Sequence, residues 1–206
     1  MEDKPRNARQ RDTSKKRDAI IEAAIQVFQV EGYDRASMDR IAEVSGASKR
    51  TVYNHFTSKD ALFQAALDRI IGELSALKRV PYDTARSLEE QLGELADSEL
   101  ATTKTTRWLG FMKVIVSVFL RDPEQARIAV AKYLAGGSHL AAWIREAARD
   151  GRISAPDPEL AAGVFSAMMS GAFIWPAVVY GQTMEPPAAE ALKGELIRTF
   201  LCRYRA

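Results

Sequence analysis

Residues 49–56 combine side-chain types that can read the base edges of DNA. Arg50 can donate two hydrogen bonds to guanine, and Asn54 can form two with adenine. Thr51 can offer a hydroxyl group or contact the methyl group of thymine. At 100° per residue, these three side chains share one face of a helix. The chemistry that this face predicts is sequence-specific recognition in a DNA groove.

A helix this short is not stable alone, so neighbouring elements must hold it. Val52 and Phe56 lie on its opposite face, where they can pack against a preceding short helix predicted at 38–45. Gly46 ends the first of these helices and tolerates a left-handed turn. Ser48 can then cap the second helix. Two short helices joined in this way predict a helix-turn-helix, whose second helix enters the major groove.

The same region offers hydrogen-bond donors for phosphate oxygens. Tyrosine, histidine, lysine and serine side chains near helix starts suit this role. No acid occurs between Gly46 and Lys59, so no carboxylate in this stretch would repel phosphate. The alternative to DNA binding is that this helix is structural and that its polar face is only solvated. The predicted DNA-binding residues are Ser37, Ser48, Lys49, Arg50, Thr51, Tyr53, Asn54, His55 and Lys59.

The first 17 residues form a basic arm, with seven Lys and Arg against three Asp and Glu, which gives +4. Lys15, Lys16 and Arg17 are expected at the start of the first helix, where the helix dipole disfavours cations. DNA phosphate would relieve that conflict, so one interpretation is that the arm follows the DNA backbone. A disordered, solvated tail is the other.

The remainder of the chain indicates an all-α protein of about ten helices. It has 206 residues, of which 47% are hydrophobic and 27% charged, as in ordinary globular proteins. The single cysteine, Cys202, excludes an intramolecular disulfide and fits a reducing compartment. The N-terminus shows no apolar segment typical of a signal peptide, so a cytoplasmic location is expected. We predict a DNA-binding domain at 1–57 and a larger helical domain at 58–206.

The segment "AIIEAAIQVFQVEGYDRASMDRIAEVSGASKRTVYNHFTSKDALFQAAL", residues 19–67, resembles the N-terminal domain of the TetR/AcrR family of bacterial transcriptional regulators. Its most specific part is "TVYNHF" followed by "SKDALF". The resemblance implies that 49–56 is the recognition helix and that Lys59 contacts phosphate. It also implies an all-helical dimer that represses transcription until a small molecule binds its C-terminal domain. The region after residue 80 resembles the AefR-like branch.

Residues 160–184 carry no charge and are long enough to cross a membrane. Glycine, serine and proline lower their hydrophobicity, so we expect a buried helix at an interface and no membrane contact. Small residues repeating every four positions let another helix approach closely. The predicted dimer residues are Gly163, Ala167, Ser170 and Gly171. The resemblance implies a dimer of helices at about 158–181 and 187–204, whereas packing within one chain is the alternative.

Aromatic and methionine side chains in the C-terminal region can line an adaptable apolar pocket. From spacing alone, ordinary core packing is the favoured interpretation, and the resemblance shifts the balance toward a pocket. An apolar or aromatic effector is expected there. His139 is more typical of a satisfied polar group than of a ligand contact. The predicted pocket residues are Trp108, Phe111, Met112, Ile115, Trp143, Met168, Met169 and Phe173.

The sequence offers little for catalysis. It has two histidines, one cysteine, no metal-ligand cluster, no phosphate-binding glycine loop and no nucleophile elbow. We therefore expect no catalytic residue, metal or cofactor. The favoured hypothesis is a homodimeric, effector-responsive repressor on an inverted-repeat operator. Recognition helices in successive major grooves would lie about 34–36 Å apart. A low-specificity DNA-binding protein without an effector and an interaction module that no longer binds DNA are the alternatives.

Overall fold

A computed structural model describes residues 5–75, 80–101, 105–128 and 138–206. These ranges are predominantly helical and contain no β-strand; an isolated antiparallel bridge joins Ile153 and Arg205. The all-α prediction is confirmed, and the described helices number about ten, as expected. Residues 123–128 are helical. The longer helices are α1 (Pro5–Arg35), α2 (Met38–Ser45), α3 (Lys49–His55), α4 (Lys59–Ser75), α5 (Leu88–Leu100), α6 (Thr106–Arg121), α7 (His139–Arg149), α8 (Pro158–Met169) and α9 (Pro186–Tyr204).

The chain divides into two compact units. Unit 1 comprises Met1–Glu73 with Gly110–Arg121, and unit 2 comprises Leu74–Leu109 with Asp122–Ala206. Helix α4 belongs to unit 1 because its apolar side chains lie in that core. The ring of Phe63 packs edge-on to Phe28, at 5.8 Å between centroids, and lies 6.0 Å from Phe111. A functional boundary near residue 57 stays a prediction.

The core of unit 1 follows the predicted helical periodicity of α1. Ile20, Ile21, Ala24, Ile25 and Phe28 are all buried. Gly32 ends this regular stretch with a φ of 77°, which an L side chain adopts only with strain. The predicted stop at this glycine is therefore confirmed as a break, with a short helical turn continuing to Arg35.

One expectation for α1 is wrong. Lys15, Lys16 and Arg17 do not lie at the start of the first helix, because α1 begins ten residues earlier at Pro5. The helix dipole acts mainly on the first turn. The conflict that was expected to require DNA phosphate is therefore absent, and the helix dipole gives no argument for an arm that follows DNA.

The core of unit 2 joins α5, α7, α8 and α9. Its buried members include Leu92, Trp143, Ile144, Phe165 and Phe200. Helix α5 starts at the predicted capping box, in which the Ser87 and Glu90 side chains each bond the other's backbone. The Asp157 side chain caps α8, and Gly151 breaks the chain after α7 with a φ of 69°.

Helix α8 continues as a π-helix over Ser170–Ile174 and Pro176–Tyr180. Pro176 has no N–H to donate, which explains why the regular α-helical ladder fails here. By length and composition alone, Pro158–Tyr180 could cross a membrane, with a mean hydropathy of 1.6. One side of it is nevertheless built into unit 2 through Ala161, Phe165 and Met169, which are buried.

The predicted end of α4 near residue 79 and the predicted break at 136–137 lie outside the described residues.

Candidate nucleic-acid interface

Local backbone chemistry builds the α2–turn–α3 unit. The Ser37 hydroxyl accepts from Arg40 N at 3.1 Å and caps α2. Gly46 adopts the left-handed conformation, with a φ of 66°, and Ala47 N donates to Ala42 O at 3.1 Å. The Ser48 hydroxyl then accepts from Thr51 N at 3.1 Å and starts α3. The predicted helix-turn-helix is confirmed as a local structure.

Helix α3 turns its two faces to different surroundings. Val52 is fully buried and Phe56 nearly so, which anchors a seven-residue helix that would not form alone. Arg50 and Asn54 are exposed on the opposite side. Tyr53 is 52% exposed. Within the described ranges, no side-chain hydrogen bond or ion pair involves these three exposed residues, so their donors and acceptors are available to a partner.

Three of the predicted DNA-binding residues, Ser48, Lys49 and Thr51, already have side-chain partners. The Thr51 and Ser48 hydroxyl groups lie 2.8 Å apart. Lys49 Nζ donates to Asp39 Oδ2 at 2.6 Å, and both side chains are exposed. Sequence reasoning missed Asp39 because it considered only acids between residues 46 and 59. In a helix-turn-helix, the first turn of α2 lies within reach of α3. The predicted motif could therefore have indicated that Asp39 contacts α3.

Lys59 is placed differently from an outward-pointing phosphate ligand. Its ammonium donates to the carbonyl oxygens of Tyr33, Asp34 and Ala36 at 2.8, 3.2 and 3.1 Å. It also lies 4.5 Å from the centroid of the Tyr33 ring. An ammonium group has three donors, and all three are engaged at the end of α1. Its phosphate contact stays a prediction and would require one of these bonds to be exchanged.

Polar contacts fix the surroundings of the helix-turn-helix. Arg40 bridges Glu31 at 2.9 Å and Glu43 at 2.8 Å. The Tyr33 hydroxyl donates to Asp60, and burial together with this bond raises the pKa of Tyr33 well above its usual range. The Arg17 guanidinium lies over the Phe56 ring, at 5.2 Å from its centroid. His55 is partly exposed at the end of α3.

The predicted effector residues separate into the two units. Phe111, Met112 and Ile115 belong to unit 1, where the first and third are buried. The other five belong to unit 2, where Trp143 and Met169 are buried in the core and Phe173 packs against that core. Their role as an effector site stays a prediction. The members in unit 2 are Trp108, Trp143, Met168, Met169 and Phe173.

Trp143 and Trp108 differ in how their indole N–H groups are satisfied. Trp143 Nε1 donates to Gln91 Oε1 at 3.3 Å. Trp108 is only 8% exposed, and its Nε1 is the one buried side-chain polar atom without a hydrogen-bond partner in the described part of the chain. A buried unpaired donor is rare and requires an explanation.

The predicted dimer residues lie on the outer side of the helix that begins at Pro158. Gly163, Ala167 and Gly171 are exposed, and Ser170 is half-buried. Apart from the neighbouring residues and backbone of the same helix, no described heavy atom lies within 4 Å of the position that a Cβ would take at Gly163 or Gly171. In the described ranges, packing within one chain therefore does not use these glycines.

Among the described residues, no group of three His, Cys, Asp or Glu side chains forms a candidate metal site.

Two family models match the chain in succession. Residues 20–66 match the bacterial regulatory proteins of the tetR family, and residues 90–206 match the C-terminal domain of AefR-like transcriptional repressors. The chain belongs to the TetR family. Members of this family are DNA-binding transcriptional regulators, so the chain is one as well. The helix-turn-helix lies within residues 20–66, which the first model matches.

Relatives agree with this assignment over different lengths. The transcriptional repressor ComR of Escherichia coli is 40% identical over 60 residues, 29% of each chain. The first two relatives are thus matched over little more than a quarter of their length. The transcriptional regulator BetI of Stenotrophomonas maltophilia is 28% identical over 173 residues, covering 81% of this chain and 84% of its own.

Solved structures extend the likeness to almost the whole chain. A TetR-family regulator from Pseudomonas syringae is 33% identical, with a TM-score of 0.76, over 93% of this chain and 97% of its own. The flavonoid-responsive regulator FrrA is 28% identical, also with a TM-score of 0.76, over 93% and 98%. The likeness to TetR-family structures therefore includes residues of both units.

Proposed function

We propose that this chain is a repressor that reads an inverted-repeat operator as a homodimer and leaves it when an apolar or aromatic molecule binds. The observation that carries the proposal is the free pair Arg50 and Asn54 on the outer face of α3. Both side chains are exposed, and α3 is anchored from behind by buried Val52. Paired guanine and adenine contacts are what these two residue types provide.

The decisive experiment selects bound sequences from a random DNA duplex pool at physiological salt. Wild type is compared with the double variant Arg50→Ala/Asn54→Ala. Each paired base contact contributes about 1–3 kcal/mol of discrimination, so the double variant should lose about 2–6 kcal/mol of operator binding. Neither side chain has a described partner, so its unfolding free energy should stay within about 0.5 kcal/mol of wild type.

An inverted repeat recovered by wild type and lost by the variant is the expected result. Weak retention with no common motif, falling steeply as salt rises, would indicate backbone binding alone. The alternative of a low-specificity DNA-binding protein would then replace the repressor.

The homodimer is proposed to form through the outer face of α8 and its π-helical continuation. Leu160, Val164, Trp175, Val179 and Tyr180 are exposed apolar side chains on that segment. Together with the open glycines beside them, they form the kind of apolar surface that a second copy covers.

Gly171→Arg tests this interface by adding a charged side chain at an exposed position. We expect sedimentation to give a dimer for wild type and a monomer for Gly171→Arg. Ala142→Arg, at an exposed position on α7, is the matched control and should remain dimeric. A dimer that survives Gly171→Arg unchanged would place the interface elsewhere.

The effector is proposed to be aromatic and to carry a hydrogen-bond acceptor. The buried Trp108 Nε1 has no acceptor among the described residues, and an oxygen of a ligand would satisfy it. Flavonoids have rings and oxygen acceptors, and FrrA, which is named for its response to them, shares the fold over 98% of its length. A flavonoid panel is therefore the first screen for release from the selected operator, with Trp108→Phe expected to weaken the response.

A further inference from the structure

Helix α9 turns one face to the core of unit 2 and leaves the opposite face exposed. Phe200 is buried in that core, and its ring centroid lies 5.2 Å from that of Phe165 on α8. On the exposed face, residues at intervals of four, three and four positions lie within about 60° of one another around the helix axis. This outer row of α9 consists of Ala191, Glu195, Arg198 and Cys202.

The ends of the outer row are not typical of a face that only water covers. Cysteine is among the residue types most often buried, yet Cys202 is exposed. Charge is confined to the middle of the row, where Arg198 Nη2 donates to Glu195 Oε2 at 2.5 Å. Both side chains of this pair are 63% exposed, and a pair this exposed adds little to the stability of the fold. The fold alone therefore gives these charges little to do.

The order of residues in the outer row is complementary to its own reverse. If two copies of α9 lie antiparallel across a two-fold axis between positions 196 and 197, Glu195 faces Arg198 of the partner subunit. The same register places Ala191 opposite Cys202 of the partner subunit, because both pairs are centred on the same point. A parallel arrangement would instead place like charges opposite each other, which is destabilising. The charges therefore favour the antiparallel register.

The outer row lies beside the apolar face through which the homodimer is proposed to form. Helices α8 and α9 pack side by side in unit 2, and the exposed residues of both point away from their shared core. The Arg198 guanidinium stays close to its own helix, with Nη1 3.4 Å from the position that a Cβ would take at Gly194. The small residue leaves room for the guanidinium along the helix, so a second helix can approach closely.

We propose that the outer row of α9 binds the same row of a second copy in antiparallel register, and that reciprocal Glu195–Arg198 pairs select an identical partner. This rests on the proposed function, since it requires a homodimer. It adds the register of the two helices and a reason for self-pairing. Because a two-fold contact is isologous, the charge pair occurs twice. A related chain with two acids or two bases at these positions would bring like charges together.

Cys202 provides a direct test of the register. Facing positions on helices whose axes lie about 8–10 Å apart come within reach of a disulfide. Ala191→Cys should therefore crosslink to Cys202 of the partner subunit when diamide takes up the two electrons and two protons, and most of it should run as a covalent dimer without reductant. Wild type should not crosslink, because this register separates the two copies of Cys202 by about 16 Å along the helix axis.

Two controls make the crosslink specific. Ala191→Cys/Cys202→Ser removes the proposed acceptor thiol and should give no covalent dimer. Ala142→Cys adds a cysteine at an exposed position on α7 and should not crosslink either.

Charge reversal tests the selection of the partner. Glu195→Arg and Arg198→Glu should each self-associate about tenfold more weakly than wild type, since both reciprocal contacts become repulsive. An equimolar mixture of the two variants should form heterodimers about as tightly as wild type forms homodimers, because every contact then joins opposite charges. Glu146→Arg is the matched control: it breaks an exposed pair of the same spacing on α7, with Arg149 at 2.6 Å, and should leave the dimer unchanged.

Failure of the register and failure of the homodimer give different results. A wild type that sediments as a monomer would remove the homodimer from the proposed function, and the register with it. A dimeric wild type in which Ala191→Cys crosslinks no more than Ala142→Cys would overturn the register alone. If the crosslink forms but the mixed variants associate no more tightly than each variant by itself, Glu195 and Arg198 do not select the partner. If the charge-reversed variants do not fold, the crosslink still decides the register, because Ala191→Cys alters no charge.

Discussion

Polar side chains on the outer face of α3 and in the interior of unit 2 differ in burial and in hydrogen bonding. Arg50 and Asn54 are exposed, and neither has a side-chain partner in the described ranges. Gln91 is fully buried, and both ends of its amide are in use. Its Nε2 donates to the carbonyls of Asp83, Arg86 and Ser87, and its Oε1 accepts from Asp83 N and Trp143 Nε1.

This contrast distinguishes residues kept for a partner from residues kept for the fold. A buried polar group is costly unless it is hydrogen-bonded, so Gln91 stabilises the segment that it ties down. Arg152 supports the same segment by donating to Arg86 O at 2.8 Å. An exposed polar group has no such cost, so its type is free to serve recognition. Substitutions in the two regions should therefore change different measured quantities.

The largest effect is expected from Gln91→Leu. This change keeps the volume similar but removes the acceptor of Asp83 N and Trp143 Nε1. It also takes one donor from each of three carbonyl groups, which keep others. Unpaired buried groups cost about 1–3 kcal/mol each, so urea denaturation should show a loss of about 3 kcal/mol or more. Gln182→Leu, at an exposed position, should stay within about 0.5 kcal/mol. If the Gln91→Leu protein is as stable as wild type, the buried hydrogen bonds of Gln91 do not stabilise the fold, and the contrast with the exposed face of α3 fails.

An intermediate effect is expected from Lys59→Met, because the ammonium group of this predicted DNA-binding residue donates to three backbone carbonyl groups. Hydrogen bonds to charged groups contribute about 1.5–3 kcal/mol, so unfolding should become easier by about that amount. Lys49→Met is the matched control, since its exposed pair with Asp39 should contribute about 0–1 kcal/mol.

The salt dependence of DNA binding by Lys59→Met and Lys49→Met tests whether each lysine contacts phosphate. A lost phosphate contact lowers the slope of log affinity against log salt by about 0.9. If Lys59→Met is less stable but retains the full slope, Lys59 acts through the fold alone. If the slope falls as well, the ammonium exchanges a carbonyl partner for phosphate when DNA binds.

Local rules predicted most of the recognition element. The limits of α2 and α3 depend on Ser37, Gly46 and Ser48, and each of these acts on a backbone group within a few residues. The outward position of Arg50 followed from helical spacing with buried Val52. Sequence reasoning was sufficient here because the determinants are short-range.

Contacts between distant residues were not predictable in the same way. The bond from Lys59 to Tyr33 O spans 26 residues, and that from Lys49 to Asp39 depends on how α2 and α3 cross. The start of α1 at Pro5 was missed because its first turns carry charge without apolar periodicity. The π-helical continuation of α8 was missed because Pro176 alone does not specify how the ladder is rearranged.

The smallest effect is expected at Glu99, a half-buried carboxyl group in unit 2. Burial raises its pKa above the ordinary 4.5, although a hydrogen bond from Ser166 opposes the shift. An acid with a raised folded-state pKa binds more protons when folded, so stability falls as pH rises from about 4.5 through the folded-state pKa. Glu99→Gln removes this penalty and should melt increasingly above wild type over that window. Ser166→Ala should steepen the decline, because the charged form loses its donor. If the melting temperatures of all three proteins change with pH in parallel, burial does not shift the pKa of Glu99. The half-buried carboxyl group in unit 2 would then titrate without a burial penalty, as an exposed group does.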